Sequence, residues 1–304
     1  MAEILRLFHG SQIVPDVLEA GRFYHDFFGS WVYEAQHLDA EDSRNSANLL
    51  GGDFSIELLA PVDAAAETGV ARFLRRHGPH FNNIAFWVRD CRGLAGQLLD
   101  RGVRVAVRGH GFASTLPETG TPTEVGTDDF DYVITHPKDT HGLVLEFLED
   151  QPIHDPRHRP WWDSSYWRDR HPLGIERLSH ATVVVADLDA AATCFDEVVG
   201  CARVDNSATA DLDRVAGTAG AWFAVGDSII EVAMPLHDNS ARSRHLAEHG
   251  SMLYSFTFLV RDLESVARHS RACGVRFAER GDHLLELDPS ATLGSAYAFT
   301  DVAL

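Results

Sequence analysis

The sequence predicts an α+β fold in which a small β-α-β-β-β unit occurs four times and the units pair into two domains. Three observations predict it. A run of hydrophobic residues ending in Asp recurs at four places along the 304 residues. Each copy continues into an amphipathic stretch that ends at a Gly. A pattern with Glu four residues before Pro recurs in the first and third copies. Such periodic self-similarity is typical of a duplicated supersecondary unit.

The start of each unit predicts a strand followed by a helix. His9–Asp16 (HGSQIVPD) and His180–Asp187 (HATVVVAD) both place Asp seven residues after His. Asn83–Asp90 and Ser255–Asp262 share this frame without the His, and the four copies start near residues 5, 79, 176 and 251. Runs rich in Val, Ile and Phe favour strands. An Asp just after such a run can accept hydrogen bonds from the free amides at a helix start.

The rest of each unit predicts a helix and about three more strands. LEAGRFYHDFFG and LDAAATCFDEVVG are amphipathic and end at Gly29 and Gly200, as helices often do. Ser55–Pro61 (SIELLAP) then corresponds to Ile229–Pro235 (IIEVAMP) in the third copy. The second and fourth copies end in GLVLEF and GSAYAF, so Glu146 in one corresponds to Ala298 in the other.

Pairing of consecutive units predicts domains at residues 1–150 and 175–304, joined by a linker at 151–174. Pro and polar residues mark the linker, but it also carries Trp161, Trp162 and Trp167. Large aromatic side chains tend to be buried. We therefore favour a strap packed between the domains, with an aromatic lid over a pocket as the alternative.

Composition restricts the class of protein. The net charge of -19 argues against nucleic acid, whose binding relies on Lys and Arg, and against anionic membrane surfaces. No apolar run approaches the length of a membrane helix, and no signal peptide is evident. Four scattered cysteines without a C-x-x-C pair indicate reduced, buried thiols in a cytoplasmic protein. A monomer or a homodimer is expected.

The order and spacing of these motifs resemble the vicinal-oxygen-chelate superfamily, which includes glyoxalase I, methylmalonyl-CoA epimerase, extradiol dioxygenases and bleomycin-resistance proteins. The stretches IELLAP, GPHFNNIAF and THPKDTHGLVLEFLE look like the epimerase branch. The resemblance implies cupped mixed sheets with one divalent metal ion in the first domain. It places the metal ligands at His9, Glu57, Asn83 and Glu146, with Asn83 where the glyoxalase and epimerase branches have His. This donor set favours Mn, Fe, Co or Mg.

Strand alternation supports part of this ligand set. His9 and Ser11 should share one face of their strand, with Phe8 and Val14 on the other. Glu146 lies between apolar neighbours, and a buried charge there needs a partner. A metal is one such partner, and an Arg or a tyrosine hydroxyl is another.

The corresponding positions of the second domain are expected to have lost the metal. They are His180, Glu231, Ser255 and Ala298, and Ser is a poor ligand while Ala is none. This domain would then brace the first, form a dimer surface or shape a pocket.

Other side chains receive secondary roles. His80 is a reserve ligand or acid/base group, and Trp87 and His136 are expected in a substrate pocket. Several histidines in polar stretches are expected at the surface: His37, His154, His158, His245 and His249.

The resemblance implies a metal-dependent enzyme acting on a small carbonyl or vicinal-dioxygen substrate. Its chemistry would be proton abstraction alpha to a carbonyl, followed by epimerisation, isomerisation or a lyase step. Glu57, Glu146 or His80 would move the proton. One alternative is an extradiol-type dioxygenase, which needs two His and one Glu around Fe(II), a set that neither domain completes. Another alternative is a metal-free protein that binds a small molecule.

Overall fold

The computed structural model describes residues 3–38, 44–107, 111–115, 132–149 and 156–304. It contains two eight-stranded mixed sheets that repeat the same strand order. Each unit contributes four strands and one helix after its first strand. The predicted α+β fold with four β-α-β-β-β units is confirmed.

The first sheet has the order β2-β3-β4-β1-β5-β8-β7-β6. Its strands are β1 (Ile4–Ile13), β2 (Trp31–Leu38), β3 (Arg44–Gly51), β4 (Phe54–Pro61), β5 (His80–Val88), β6 (Val105–Val107), β7 (Tyr132–Thr135) and β8 (Val144–Glu149). The two units meet where β1 pairs antiparallel with β5. On either side, β1 pairs parallel with β4 and β5 pairs parallel with β8. The first and last strands of both units therefore lie side by side at the centre.

The second sheet repeats this arrangement in the order β10-β11-β12-β9-β13-β16-β15-β14. Its strands are β9 (Ile175–Val184), β10 (Ala202–Arg203), β11 (Thr218–Val225), β12 (Ser228–Pro235), β13 (Met252–Val260), β14 (Phe277–Arg280), β15 (Leu284–Leu287) and β16 (Ala296–Thr300). Again β9 and β13 pair antiparallel at the centre, flanked by the parallel partners β12 and β16.

The helix that follows the first strand of each unit begins where the sequence predicts, and four further helices occur among the described residues. In chain order the helices are α1 (Val17–Phe28), α2 (Gly69–His77), α3 (Cys91–Asp100), α4 (Ser165–Asp169), α5 (Leu188–Thr193), α6 (Ser207–Ala216), α7 (Ala241–His249) and α8 (Leu263–Ala272), with a π-helical turn at Cys194–Val199 after α5. Asp16, Asp90, Asp187 and Asp262 each accept backbone hydrogen bonds at a helix start. Gly29 ends α1 in the left-handed conformation, with φ of 64°, which Gly adopts without a steric penalty. Four of the described helices were not predicted from the sequence: α2 and α7, which precede β5 and β13, α4 in the linker, and α6 between β10 and β11.

A shared hydrophobic core joins the two domains. The α1 helix packs on its own sheet and also against the second sheet, because the ring of Phe28 lies 6.0 Å from that of Phe258. A buried polar link crosses the same interface, where the Tyr24 hydroxyl lies 2.5 Å from Gln12 Oε1 and 2.6 Å from the Tyr297 hydroxyl. The two sheets therefore turn one face toward each other, where Phe256 of β13 packs against Phe54 and Phe81 beside α1. We call this face the core face of each sheet.

The described part of the linker packs as a strap. Trp167 is only 1% exposed, and its indole N–H donates to the carbonyl of Phe28 over 2.9 Å. Trp162 packs beside it, with ring centroids 5.0 Å apart. Trp161 is 60% exposed and lies at the edge of this group, with its ring 6.2 Å from that of Trp162. The segment therefore fixes the domains through Trp167, while residues 151–155 lie outside the described part.

Two further expectations meet the structure. The described residues form no helix of the length and apolarity that crossing a membrane requires. All four cysteines are free thiols, but the expectation that they are buried is wrong for Cys273, which is exposed near the end of α8.

Candidate metal centre

The strand registers bring His9, Glu57, Asn83 and Glu146 to one region of the first sheet. Ser11 on β1 pairs with Glu57 on β4 and with Asn83 on β5. Two residues further along β5, Ala85 pairs with His9 on β1 and with Glu146 on β8. Residues that pair across strands point to the same face. All four side chains therefore project from the face opposite the core, which we call the site face.

The distances show a compact cluster around His9. His9 Nε2 lies 3.6 Å from Glu57 Oε2 and 3.8 Å from Glu146 Oε2. The Asn83 amide N–H donates to Glu146. His9 and Asn83 are buried, at 5% and 3% exposed, whereas the two carboxylates are each 16% exposed. The cluster therefore has a buried floor, and its two acidic side chains are partly exposed to solvent.

Three polar atoms of this cluster have no hydrogen-bond partner within the described part of the chain. They are both ring nitrogens of His9 and Oδ1 of Asn83, and all three are buried. Buried polar atoms are nearly always hydrogen-bonded, and each exception needs a reason. A ligand that accepts lone pairs from nitrogen and oxygen would supply one.

The carboxylates control the charge state of His9. Burial alone would lower the pKa of His9, but the Glu146 and Glu57 carboxylates outweigh it, and the pKa is raised. A protonated His9 can thus balance part of the carboxylate charge. A divalent cation would do so more fully, and its binding would displace this proton.

The residues present fit a divalent metal ion. One imidazole nitrogen, two carboxylates and one amide oxygen form a donor set dominated by oxygen, which suits Mn, Fe, Co or Mg. Two negative charges match the charge of the ion. The unpartnered atoms of His9 and Asn83 are of the kinds that such an ion binds.

The two carboxylates have different surroundings. Both oxygens of Glu57 accept hydroxyl hydrogen bonds, from Ser11 over 2.9 Å and from Ser46 over 3.1 Å. Glu146 is held through Oε2 by Asn83, and no described residue donates to its Oε1. Glu57 is consequently fixed at both ends, and Glu146 keeps one oxygen for other chemistry.

An aromatic pair borders the cluster. Phe8 and Trp87 lie with ring centroids 4.3 Å apart and pack with Ala85 on the site face. The expectation that Phe8 points away from His9 is wrong, because the β1–β5 register shifts between Leu7 and His9. Such a bulge redirects one side chain. The ring of Phe8 thereby comes to 4.6 Å from that of His9, beside Trp87, which is itself 3% exposed.

In the second domain an arginine occupies the region that corresponds to the metal centre. Glu231 is 1% exposed, and its Oε1 lies 3.1 Å from Arg242 Nη1 on α7. Thr182 donates to the other oxygen over 2.6 Å, and His180 Nε2 lies 3.8 Å from it. Burial lowers the pKa of His180 to about 4, so this imidazole is neutral. The guanidinium of Arg242 is thus the cation that balances Glu231.

An alignment of the two domains shows which residue of the first domain corresponds to this arginine. Thr68 and Ser240 are the N-caps of α2 and α7, and His77 and His249 end these helices. In this alignment Arg242 corresponds to Val70, which is buried against Ile13 and Leu59 in the first domain. Sequence analysis missed Arg242 because only the helix alignment places it opposite Glu231. The remaining positions, Ser255 and Ala298, contribute no ligand, and Ser255 Oγ is buried without a hydrogen-bond partner in the described structure.

The structure places His80 and His136 away from His9. His80 begins β5, and its Nε2 lies 3.3 Å from Nδ1 of His245 in the second domain. His136 follows β7, three strands from β1, or roughly 14 Å at the usual strand spacing. There it contacts Arg104 and the ring of Phe112. Neither histidine belongs to the cluster around His9.

The expected surface positions hold for only some of the histidines. His37 and His158 are exposed, and His154 lies outside the described residues. The expectation is wrong for His245, which is 7% exposed, and for the side chain of His249, which is 12% exposed. They lie on α7, which packs against β13 and β9.

Comparison with known families assigns the chain to one of them. Residues 8–115 and 179–288 match the model of the Glyoxalase/Bleomycin resistance protein/Dioxygenase superfamily. The chain belongs to this superfamily, as its motifs and spacing suggested. The family description covers enzymes and resistance proteins alike. No curated protein matches the chain.

Solved structures share the fold. A triple mutant of 4-hydroxymandelate synthase from Streptomyces coelicolor is 17% identical, with a TM-score of 0.65 over 100% of this chain and 94% of that chain. A xylose isomerase-like TIM barrel/4-hydroxyphenylpyruvate dioxygenase fusion protein is 12% identical, with a TM-score of 0.62 over 98% of this chain and 49% of that chain. Methylmalonyl-CoA epimerase from Mycobacterium tuberculosis is 25% identical over 50% of this chain and 93% of its own, with a TM-score of 0.40. The first two show that the two-domain arrangement occurs in other proteins.

Proposed function

We propose that the protein is a divalent-metal-dependent enzyme whose site is the cluster of His9, Glu57, Asn83 and Glu146. The observation that carries the proposal is the convergence of four side chains of metal-ligand type from four adjacent strands. Three of their buried polar atoms have no hydrogen-bond partner among the described residues. The second domain supports the proposal by contrast, because Arg242 neutralises Glu231, the acid that corresponds to Glu57. In the first domain Val70 takes the place of that guanidinium and leaves the two carboxylates for a cation.

The proposed reaction removes a proton next to the carbonyl group of a small substrate. A bound divalent cation would act as a Lewis acid on a substrate oxygen and stabilise the negative charge that develops. The carboxylates lie at the open side of the cluster, so a substrate would approach them rather than the buried His9. Phe8 and Trp87 would form an apolar wall beside it.

Glu146 is the side chain best suited to take the proton. Its Oε2 is oriented by Asn83, and its Oε1 accepts no hydrogen bond from the described residues. Glu57 is less suited because Ser11 and Ser46 donate to both of its oxygens and hold the carboxylate in place. Glu57 therefore serves as a fixed metal ligand. Glu146 takes up and returns the proton in an epimerisation, isomerisation or lyase reaction.

Metal content is the first test of this proposal. Tag-free protein would be analysed as purified beside His9→Ala and Glu146→Ala. We expect the wild type to bind an equivalent of Mn, Fe, Co or Mg at this site, and both variants to lose that equivalent. Ser46→Ala is the matched control, since it removes one hydrogen bond to Glu57 but no ligand. Unchanged metal content in His9→Ala and Glu146→Ala would refute the metal centre.

Two assays then separate the reaction classes. Proton abstraction predicts exchange of substrate alpha protons in deuterated water, across a panel of 2-oxo acids and acyl thioesters, with a large loss in Glu146→Gln. An extradiol-type dioxygenase predicts oxygen uptake with catechols instead, although one His and two carboxylates depart from the two-His, one-carboxylate set. A metal-free small-molecule binder predicts neither activity and unchanged ligand binding after chelation.

The domain division stays a prediction. The sheets span Ile4–Glu149 and Ile175–Thr300, but the shared core and the strap at Trp167 join them. We propose that residues 1–150 provide the chemistry and residues 175–304 brace it.

A further inference from the structure

A second group of potential metal ligands lies between the domains, apart from the cluster around His9. His80 at the start of β5 meets His245 and His249 near the end of α7. One ring nitrogen from each of these three histidines lies within 4.8 Å of the others. His77 at the end of α2 adds a fourth imidazole, with its Nδ1 3.4 Å from Nδ1 of His249. We call these four residues the interdomain histidine cluster.

The spacing of the nitrogens suits a tetrahedral ion. His80 Nε2 and His245 Nδ1 are 3.3 Å apart. Two nitrogens bound to one tetrahedral zinc at ~2.0–2.1 Å are separated by about 3.3–3.4 Å. The rings are not stacked flat, since those of His80 and His245 are inclined by 40°. This pair is thus at the separation that shared coordination requires, and a ring nitrogen of His249 lies within 4.8 Å of both.

The protonation state also suits coordination. His80 Nδ1 lies 3.1 Å from the carbonyl oxygen of Phe81, which can only accept, so Nδ1 carries the proton and Nε2 keeps its lone pair. A metal-bound imidazole commonly donates its other N–H to a backbone carbonyl in this way.

The repeat shows that the cluster is not an inevitable part of the fold. His77 and His249 correspond to each other at the ends of α2 and α7. His245 corresponds to Phe73 in the first domain, and His80 corresponds to Met252 in the second. Apolar side chains can therefore occupy these positions of the unit. The two unmatched histidines face each other across the domain interface.

We propose that the interdomain histidine cluster binds a transition metal ion of the zinc class and links the two domains through it. Imidazole nitrogen suits Zn, Cu, Ni and Co, whereas the oxygen-rich set around His9 suits harder ions. Ligands from β5 and α7 belong to different domains, so an ion bound there would resist their separation. Its function would be structural, because His80, His245 and His249 are mostly buried.

Cobalt spectroscopy can test this site separately from the one at His9. Tag-free protein stripped of metal would be titrated with Co(II), and visible absorption would be followed beside total bound metal. Four-coordinate Co(II) with imidazole ligands absorbs strongly, whereas oxygen-rich six-coordinate Co(II) absorbs weakly. The test variant is His245→Phe, which copies Phe73 of the first domain. His283→Ala is the control, because it removes an exposed histidine of the second domain.

We expect strong absorption in the wild type, in His283→Ala and in His9→Ala. His245→Phe should lose this absorption and should bind one equivalent of metal less than the wild type. Affinity for Zn(II) should fall by more than the roughly 10–100-fold typical of outer-shell changes. Zn(II) should also raise the melting temperature of His9→Ala but not that of the double variant His9→Ala with His245→Phe, in which both sites are removed. If circular dichroism shows that His245→Phe is unfolded, His249→Gln replaces it.

Equal metal content and equal spectra in the wild type and the folded variant would overturn the proposal. The cluster would then be a set of hydrogen-bonded imidazoles in which His245 Nδ1 donates to His80 Nε2. Failure here leaves the proposed function untouched, because loss of metal in His9→Ala tests a different site.

Discussion

Replacing Arg242 with Val tests whether the second domain has substituted a guanidinium for a metal. Val is the residue at the corresponding position of the first domain, Val70, so the helix-forming context is matched. Arg242 is 4% exposed, lies 3.1 Å from Glu231 and lies 3.8 Å from Glu286. The substitution removes the cation and leaves Glu231 buried with only Thr182 and Thr218 as hydrogen-bond partners.

The expected loss is large compared with that of a surface pair. At the observed 3.1 Å and an effective dielectric of about 20, the attraction is about 5 kcal/mol. Burial of the Arg242 guanidinium costs desolvation free energy, which the variant avoids, so the net loss is smaller than this attraction. Removing one partner of a buried pair typically costs about 3–5 kcal/mol. We expect the free energy of unfolding to fall by that amount.

Urea denaturation at pH 7 measures this loss. The matched control is Arg214→Ala, whose pair with Asp211 is exposed on both sides and should be worth less than about 1 kcal/mol. The double variant Glu231→Gln with Arg242→Val removes the uncompensated charge. It should recover about 1–3 kcal/mol relative to Arg242→Val alone.

A loss below about 1 kcal/mol in Arg242→Val, or no recovery in the double variant, would refute the reasoning. Glu231 would then be adequately stabilised by its hydroxyl partners. The inference that Arg242 replaces a metal would fail with it.

Three other substitutions test the packing and electrostatics. Burial is the main cause that raises the pKa of Asp213 from 3.8 to about 6, so the free energy of unfolding falls as pH rises through that range. Asp213→Asn should raise the free energy of unfolding, measured by urea titration, by about 1–2 kcal/mol above pH 6.5 and by almost nothing at pH 4. Tyr24→Phe should cost about 1–3 kcal/mol by leaving the buried Gln12 Oε1 without its donor, measured by thermal unfolding, and no loss would mean that water takes its place. Trp167→Ala should cost about 3–5 kcal/mol, whereas Trp161→Ala should change stability by less than about 0.5 kcal/mol; equal effects in calorimetry would contradict a packed strap.

The sequence by itself determined the fold. Strand, helix and strand order follow from local patterns, because alternation of hydrophobic residues, a capping Asp16 and a terminal Gly29 act within a few residues of one another. The repeat then aligned His9 with His180 and Glu57 with Glu231. The resemblance to the vicinal-oxygen-chelate superfamily then predicted the ligand set of His9, Glu57, Asn83 and Glu146.

Only the tertiary structure decided which other side chains join each site. Phe8 reaches the site face through a bulge in the pairing of β1 with β5, and strand alternation predicts the opposite face. Arg242 reaches Glu231 because α7 docks on the sheet, and His80 meets His245 across 165 residues of sequence. These contacts depend on how elements from distant parts of the chain pack, and the local hydrophobic pattern carries no record of that packing.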